Sequence, residues 1–177
     1  MILGGALISA KTKNMFINIF DPITNKMILK NLINELFKSS TFAWVNVETF
    51  VTISWNKTGI KMLRLQDIRK VKEDLSSKGE LTGVQIDTSK TVSTAFVDRE
   101  PKWLYSVGKG EASIHIYYYS DGSFRKGINY SSCEPSICSV LFGRKCLDYN
   151  TLEVERFARF VNSQKVYYIG YTIHRRN

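Results

Sequence analysis

Two histidines, His115 and His174, are the side chains of this sequence whose ordinary chemistry moves protons near neutral pH. A base, an acid and a nearby cation are all that metal-free cleavage of RNA requires, with Tyr117 or Glu153 assisting. His115, His174 and Tyr117 are therefore the catalytic candidates. His174 stands three residues from Asn177, where fraying is the default, and this weakens the pair. A binding role takes precedence over catalysis for the same segment. In Ser113–Tyr119 (SIHIYYY), period-two alternation puts Ser113, His115, Tyr117 and Tyr119 on one face and Ile114, Ile116 and Tyr118 on the other. The isoleucines mark the core side, so the His/Tyr row is expected to face solvent. Lys109, Arg125 and Lys126 flank it, and rings beside cations suit single-stranded nucleic acid, because bases stack while ammonium and guanidinium groups hold phosphates.

The charge balance agrees with a polyanionic partner. Lys plus Arg is 25 against 16 Asp plus Glu, a net charge of +9 in 177 residues. After Glu155 no acid follows, while Arg156, Arg159, Lys165, Arg175 and Arg176 do. The expected function is a small basic binding protein that contacts nucleic acid through Tyr117, Tyr119, Lys109, Arg125, Lys126, Arg156, Arg159, Arg175 and Arg176. The alternatives are a protein-interaction module that docks on an acidic partner, and a metal-independent ribonuclease. RNA and DNA are not distinguished, and the sequence points to a non-enzyme more than to an enzyme.

Metal and cofactor chemistry find little support. Cys133, Cys138 and Cys146 include no C-x-x-C pair, and neither histidine has a partner at metal-ligand spacing. No P-loop, dinucleotide fingerprint, G-x-S-x-G or H-E-x-x-H occurs. No cofactor and no metal are expected. Asn56 and Asn129 head glycosylation tripeptides, which carry no meaning without a secretory signal. The apolar run at the start, MILGGALISA, precedes its lysines, the wrong order for a signal peptide, and is too short to span a bilayer. A cytoplasmic chain without a transmembrane segment is expected, its thiols reduced by default.

Two short segments resemble known families. Tyr167-Tyr-Ile-Gly-Tyr-Thr172 with Arg175 is similar to the second strand of the GIY-YIG nucleases, which implies a catalytic arginine, although no helix with a metal-binding glutamate follows it in the sequence. Ser93-Thr-Ala95 and Glu153-Val-Glu155 resemble the Ser-Thr-Ser and Glu-x-Glu elements of the ADP-ribosyltransferases. Acids in the first turn of a capped helix explain the second pair better.

The elements that would position these residues follow from periodicity. Asp21-Pro22 reads as an N-cap and a first-turn proline. Leu29, Leu32, Ile33 and Leu36 then recur at helical spacing, which predicts a helix over 22–38. Residues 41–55 read as one or two strands that form a hairpin with 60–65 around Asn56–Gly59, and residues 67–77 as a short helix with Gly79 beyond it. A meander runs from Val84 to Tyr130, its clearest turn at Asp121-Gly122. Asn150 and Glu153 form a capping-box pattern, which predicts a helix with Val154, Phe157, Ala158 and Val161 buried, and residues 165–173 read as a final strand. The expected fold is α+β: one domain over 1–177, a mainly antiparallel sheet, with two longer helices and one short helix on one face.

Overall fold

A computed structural model describes residues 3–8, 15–21, 23–33, 41–55, 58–73, 80–87, 91–98, 103–143, 146–162 and 165–172. In chain order the elements are β1 (Leu3–Ile8), β2 (Met15–Asp21), β3 (Lys26–Ile33), β4 (Thr41–Trp44), β5 (Thr49–Trp55), β6 (Lys61–Asp67), α1 (Ile68–Glu73), β7 (Glu80–Asp87), β8 (Ser93–Val97), β9 (Trp103–Gly108), β10 (Ser113–Ser120), β11 (Ser123–Lys126), β12 (Tyr130–Ser131), β13 (Cys138–Leu141), β14 (Glu153–Asn162) and β15 (Lys165–Thr172). They form four antiparallel sheets, each built from strands consecutive in sequence: β1–β3, β4–β7, β8–β11 with β12 also on β10, and β13–β15. The α+β expectation is overturned, because among the described residues the one α-helix has six residues.

Both long helices of the sequence reading are strands. Asp21 does cap its neighbours: Oδ1 accepts from the Ile23 N–H at 2.9 Å and Oδ2 from the Thr24 hydroxyl at 2.7 Å. Those bonds close an Asx turn as readily as they open a helix, and Asn25 at φ 51° reverses the chain. Residues 26–33 then pair with β2 in a register from Asp21↔Lys26 to Met15↔Ile33. Residues 34–38 of the predicted helix lie outside the described residues. At the other site, Asp148 takes the capping role given to Asn150, accepting from the Asn150 N–H at 3.0 Å. A single 3-10 turn at Tyr149–Thr151 follows, and Leu152 at φ 54° ends it. Glu153–Asn162 is extended and paired on both sides, with β13 and β15.

The remaining expectations fared better. The hairpin is β5–β6, with β4 as an additional strand, and Asp121 and Gly122 both take the positive φ that a two-residue hairpin turn requires. The short helix is α1, begun by Asp67, whose Oδ1 accepts from the Arg69 N–H. The predicted Gly79 end lies outside the described residues.

Three of the sheets stack face to face. Val51, Ile53, Leu63 and Leu65 of β4–β7 pack with Ala95, Leu104, Tyr117 and Phe124 of β8–β11. The opposite face of that second sheet, Tyr105, Val107, Ile114 and Ile116, packs on Phe157 of β14 with Leu141 and Ile169 beside it. Sheet β8–β11 is thus a middle layer, buried on both faces, and this overturns the expected solvent-facing row: Tyr117 is 0% exposed. Leu104→Ala should cost about 2–5 kcal/mol and Phe157→Ala about 3–5 kcal/mol from burial and cavity terms. Urea melts followed by fluorescence check this. One shifted transition in both variants shows that the stacked sheets unfold together, and two separate transitions would show that they do not.

Candidate functional site

Lys61 opens β6 on the face turned toward β8–β11 and is fully buried. A buried ammonium needs a counter-charge and hydrogen-bond acceptors. It finds both across the sheet boundary: Nζ lies 2.8 Å from Glu111 Oε1 and 2.8 Å from Ser93 Oγ. The Thr91 hydroxyl donates to the same Oε1, and the Trp55 ring centroid is 5.9 Å from Nζ. Glu111 sits in the turn between β9 and β10, and its other oxygen faces His115 Nε2 at 3.8 Å. Gly108 makes room for this carboxylate, because a Cβ there would overlap the Glu111 carboxyl group.

The same turn holds sheet β13–β15. The Glu111 carbonyl accepts from the Ser136 N–H at 2.9 Å and from Arg159 Nη2 at 3.2 Å. Arg159 Nη2 also reaches the Glu134 carbonyl at 3.3 Å. Arg159 is 1% exposed and has no carboxylate partner among the described residues. Backbone bonds continue the seam: Lys109 N–H to the Val92 carbonyl at 2.9 Å, Gly110 N–H to the Ser136 carbonyl at 2.6 Å, and Ile137 N–H to the Phe160 carbonyl at 2.7 Å. One end of the strands therefore carries a continuous ledge made of the 91–92, 109–111 and 132–137 segments and the start of β15.

The candidate residues of the sequence reading fall in different environments. His115 is half-buried beside Glu111, Tyr117 lies in the core and Tyr119 is half-buried against Phe124. Lys109, Arg125 and Lys126 are exposed, with Arg125 Nη2 3.5 Å from Asp121 Oδ2. Arg156 is held by Glu153, at 2.9 Å and 2.6 Å, and Arg159 is buried. His174, Arg175 and Arg176 lie outside the described residues. The structure thus brings His115 to Glu111 and Lys61, and it does not gather the cations around the tyrosines. Ser93, read as part of a Ser-Thr-Ala segment, is instead a ligand of the buried Lys61. Glu153 and Glu155 lie at the start of a strand, which removes the helical basis given for them. Sequence reasoning missed Lys61, Glu111 and Arg159 as structural centres. The available signal was a charge at alternate positions of otherwise apolar segments, as in Glu155, Phe157 and Arg159.

Glu153 repeats the device of Glu111. Its carboxylate sits where a Cβ on Gly170 would fall, and the Arg156 guanidinium followed by the Asp148 N–H holds its pKa below the ordinary glutamate value. At the rim of the ledge, the Tyr167 hydroxyl donates to Glu134 Oε2 at 2.8 Å, and Lys165 Nζ is 3.3 Å from Oε1. Together they lower the Glu134 pKa, the hydroxyl first. Among the described residues no group of His, Cys, Asp and Glu could hold a metal ion, and no helix is long and apolar enough to cross a membrane.

Antiparallel sheets of consecutive strands, stacked face to face where β4–β7, β8–β11 and β13–β15 meet, match the blade fold of a WD40 domain. The solved WD40 domain of Toxoplasma gondii coronin superposes on 97% of this chain with a TM-score of 0.80 at 20% identity, the chain covering 46% of it. A structure of the complex of KlAtg21 with the coiled coil of AgAtg16 matches over 96% of the chain at TM-score 0.57 and 10% identity.

In sequence the chain is similar to curated coronins: 22% identical over 174 residues to coronin-like protein crn1 of Schizosaccharomyces pombe, 23% over 154 residues to coronin-A of Dictyostelium discoideum, and 23% over 166 residues to coronin-2A of Bos taurus. It covers 98%, 86% and 92% of itself in these matches and spans about a third or less of each relative's length. No protein-family model matches. These similarities overturn the nucleic-acid reading, and the buried Tyr117 and Arg159 give the physical reason: two of its contact residues cannot reach a ligand.

Two predictions follow from this chemistry. Glu111→Ala strands the buried Lys61 charge and should cost about 3–5 kcal/mol, whereas adding Lys61→Met should recover most of the loss. Chemical melts of the single and double variants decide it, and a double variant no better than the single would refute the ion-pair account. Glu153, with a folded-state pKa below its unfolded one, contributes stability that is fully present above the ordinary glutamate value and is lost as pH falls through the lowered one. An acid titration of Glu153→Gln should therefore show a shallower loss of stability than the parent in that window, and parallel curves would refute the linkage.

Proposed function

We propose that this chain is a protein-interaction module, a single domain over 1–177 in which WD40-type sheets present a rigid surface to an acidic protein partner. The observation that carries the reading is the fold match to a coronin WD40 domain at TM-score 0.80, reinforced by the sequence similarity to three coronins. The chemistry supports it as well. The titratable residues at the centre of the seam are tied to each other and to backbone, which suits a scaffold better than a reaction site. A net charge of +9 favours an acidic partner by steering encounter and selecting against basic surfaces. The second fold neighbour is seen in complex with a coiled coil, a precedent for protein binding on this architecture. The cytosol is the proposed compartment, since Cys133, Cys138 and Cys146 are all exposed and free.

Affinity purification of the tagged chain from its own cells, with and without nuclease, tests the reading. A protein partner that survives nuclease, rebinds after purification and is released by rising salt is the expected result. Loss of the complex on nuclease treatment would overturn it.

A further inference from the structure

The ledge at the Glu111 end of the strands combines exposed apolar side chains with an excess of positive charge. Val92 and Ile137 are each 47% exposed and Tyr167 is 43% exposed. Backbone hydrogen bonds fix their spacing, since Val92 is tied to Lys109, Gly110 to Ser136 and Ile137 to Phe160. These apolar groups are therefore held open to solvent by a rigid frame and do not sit on a loose loop. Exposed apolar groups on such a frame, beside polar ones, are the usual anatomy of a contact surface.

The charges can be counted around it. Lys61 and Glu111 cancel each other below the surface. That leaves Lys109, Arg159 and Lys165 against Glu134. The Lys109 ammonium has no carboxylate partner among the described residues, and Lys165 shares Glu134 with the Tyr167 hydroxyl. Among the described residues Arg159 is bound through backbone carbonyls, which neutralise none of its charge. Because it is buried, its field is poorly screened by salt and reaches the surface above it.

We propose that this ledge, Val92, Lys109, Ile137, Lys165 and Tyr167, is where the module holds its partner, and that the bound element is an acidic protein segment carrying apolar side chains. The assignment rests on the interaction-module reading and adds to it a face and a ligand chemistry. Lys109 and the Arg159 field receive the carboxylates, while Val92, Ile137 and the Tyr167 ring receive the apolar side chains.

The test uses the full 177-residue chain and three fluorescein-labelled 15-residue peptides: one of glutamate interspersed with leucine, one with lysine in place of glutamate, and one with serine in place of leucine. Anisotropy should show saturable binding of the first peptide only, weakening as salt rises. Lys109→Glu and Ile137→Ser should each weaken it by about tenfold. Arg69→Glu, an exposed cation at the opposite end of β6, should leave it unchanged, and thermal melts confirm that all three variants fold. Binding that is insensitive to Lys109→Glu but lost in Arg69→Glu overturns the face and leaves the module intact. No binding of any peptide overturns the ligand chemistry, while a nuclease-resistant partner complex from the purification above would still stand for the module. Equal binding of the serine peptide removes the apolar part of the assignment.

Discussion

Everything at one end of the stacked sheets hangs on the Glu111 turn. A fully buried lysine from one sheet and a fully buried arginine from another both end there, one on the side-chain carboxylate and one on the main-chain carbonyl. Neither charge would survive burial alone, since desolvation of an unpaired ion outweighs what packing returns. The turn between β9 and β10 is therefore specified from both sides. Gly108 must lack a side chain, Thr91 and Ser93 must offer hydroxyls at that height, and Ser136 must close the carbonyl seam. The apolar stacking between sheets supplies most of the cohesion, and the polar seam supplies the registration, fixing how far one sheet slides over the next.

Stacking also explains the composition of the middle sheet. A sheet with one wet face alternates apolar and polar side chains, whereas one covered on both sides does not. In β10 the residues Ile114 and Ile116 lie against β14, while Tyr117 and, from β11, Phe124 lie against β5 and β6. Histidine fits such a layer because its ring fills volume while Nε2 faces the Glu111 carboxylate at 3.8 Å.

The sequence was legible where turn chemistry and β-branched runs agreed, as in residues 41–65, the Asp121-Gly122 hairpin and the last strand. It misled in two stretches where helix and strand signals overlap. Asp21 and Asp148 make the same side-chain-to-backbone bonds whether a helix or a turn follows, so a cap identifies a chain reversal without saying what comes next. In Glu153–Asn162 the buried face carries Glu155, Phe157 and Arg159, and charges on a core face disguise a period of two. The candidate site was legible only as scattered members. His115, Lys109 and Arg159 were each singled out, but that they converge on one turn is a fact of sheet stacking, which brings residues from position 61 to position 159 together and leaves no mark in local spacing.

The single guanidinium of Arg159 joins two surface segments, because one nitrogen serves the carbonyl of Glu111 and the carbonyl of Glu134. Those segments lead directly to Lys109 on one side and to the Glu134, Lys165 and Tyr167 group on the other. A force applied at either segment is passed to the other through a buried strut, so the two halves of the ledge respond as one lever. Lysine in that position would loosen the lever without emptying the space, since its donors would turn freely at the end of a flexible stem instead of being held on one nitrogen fixed in the guanidinium plane.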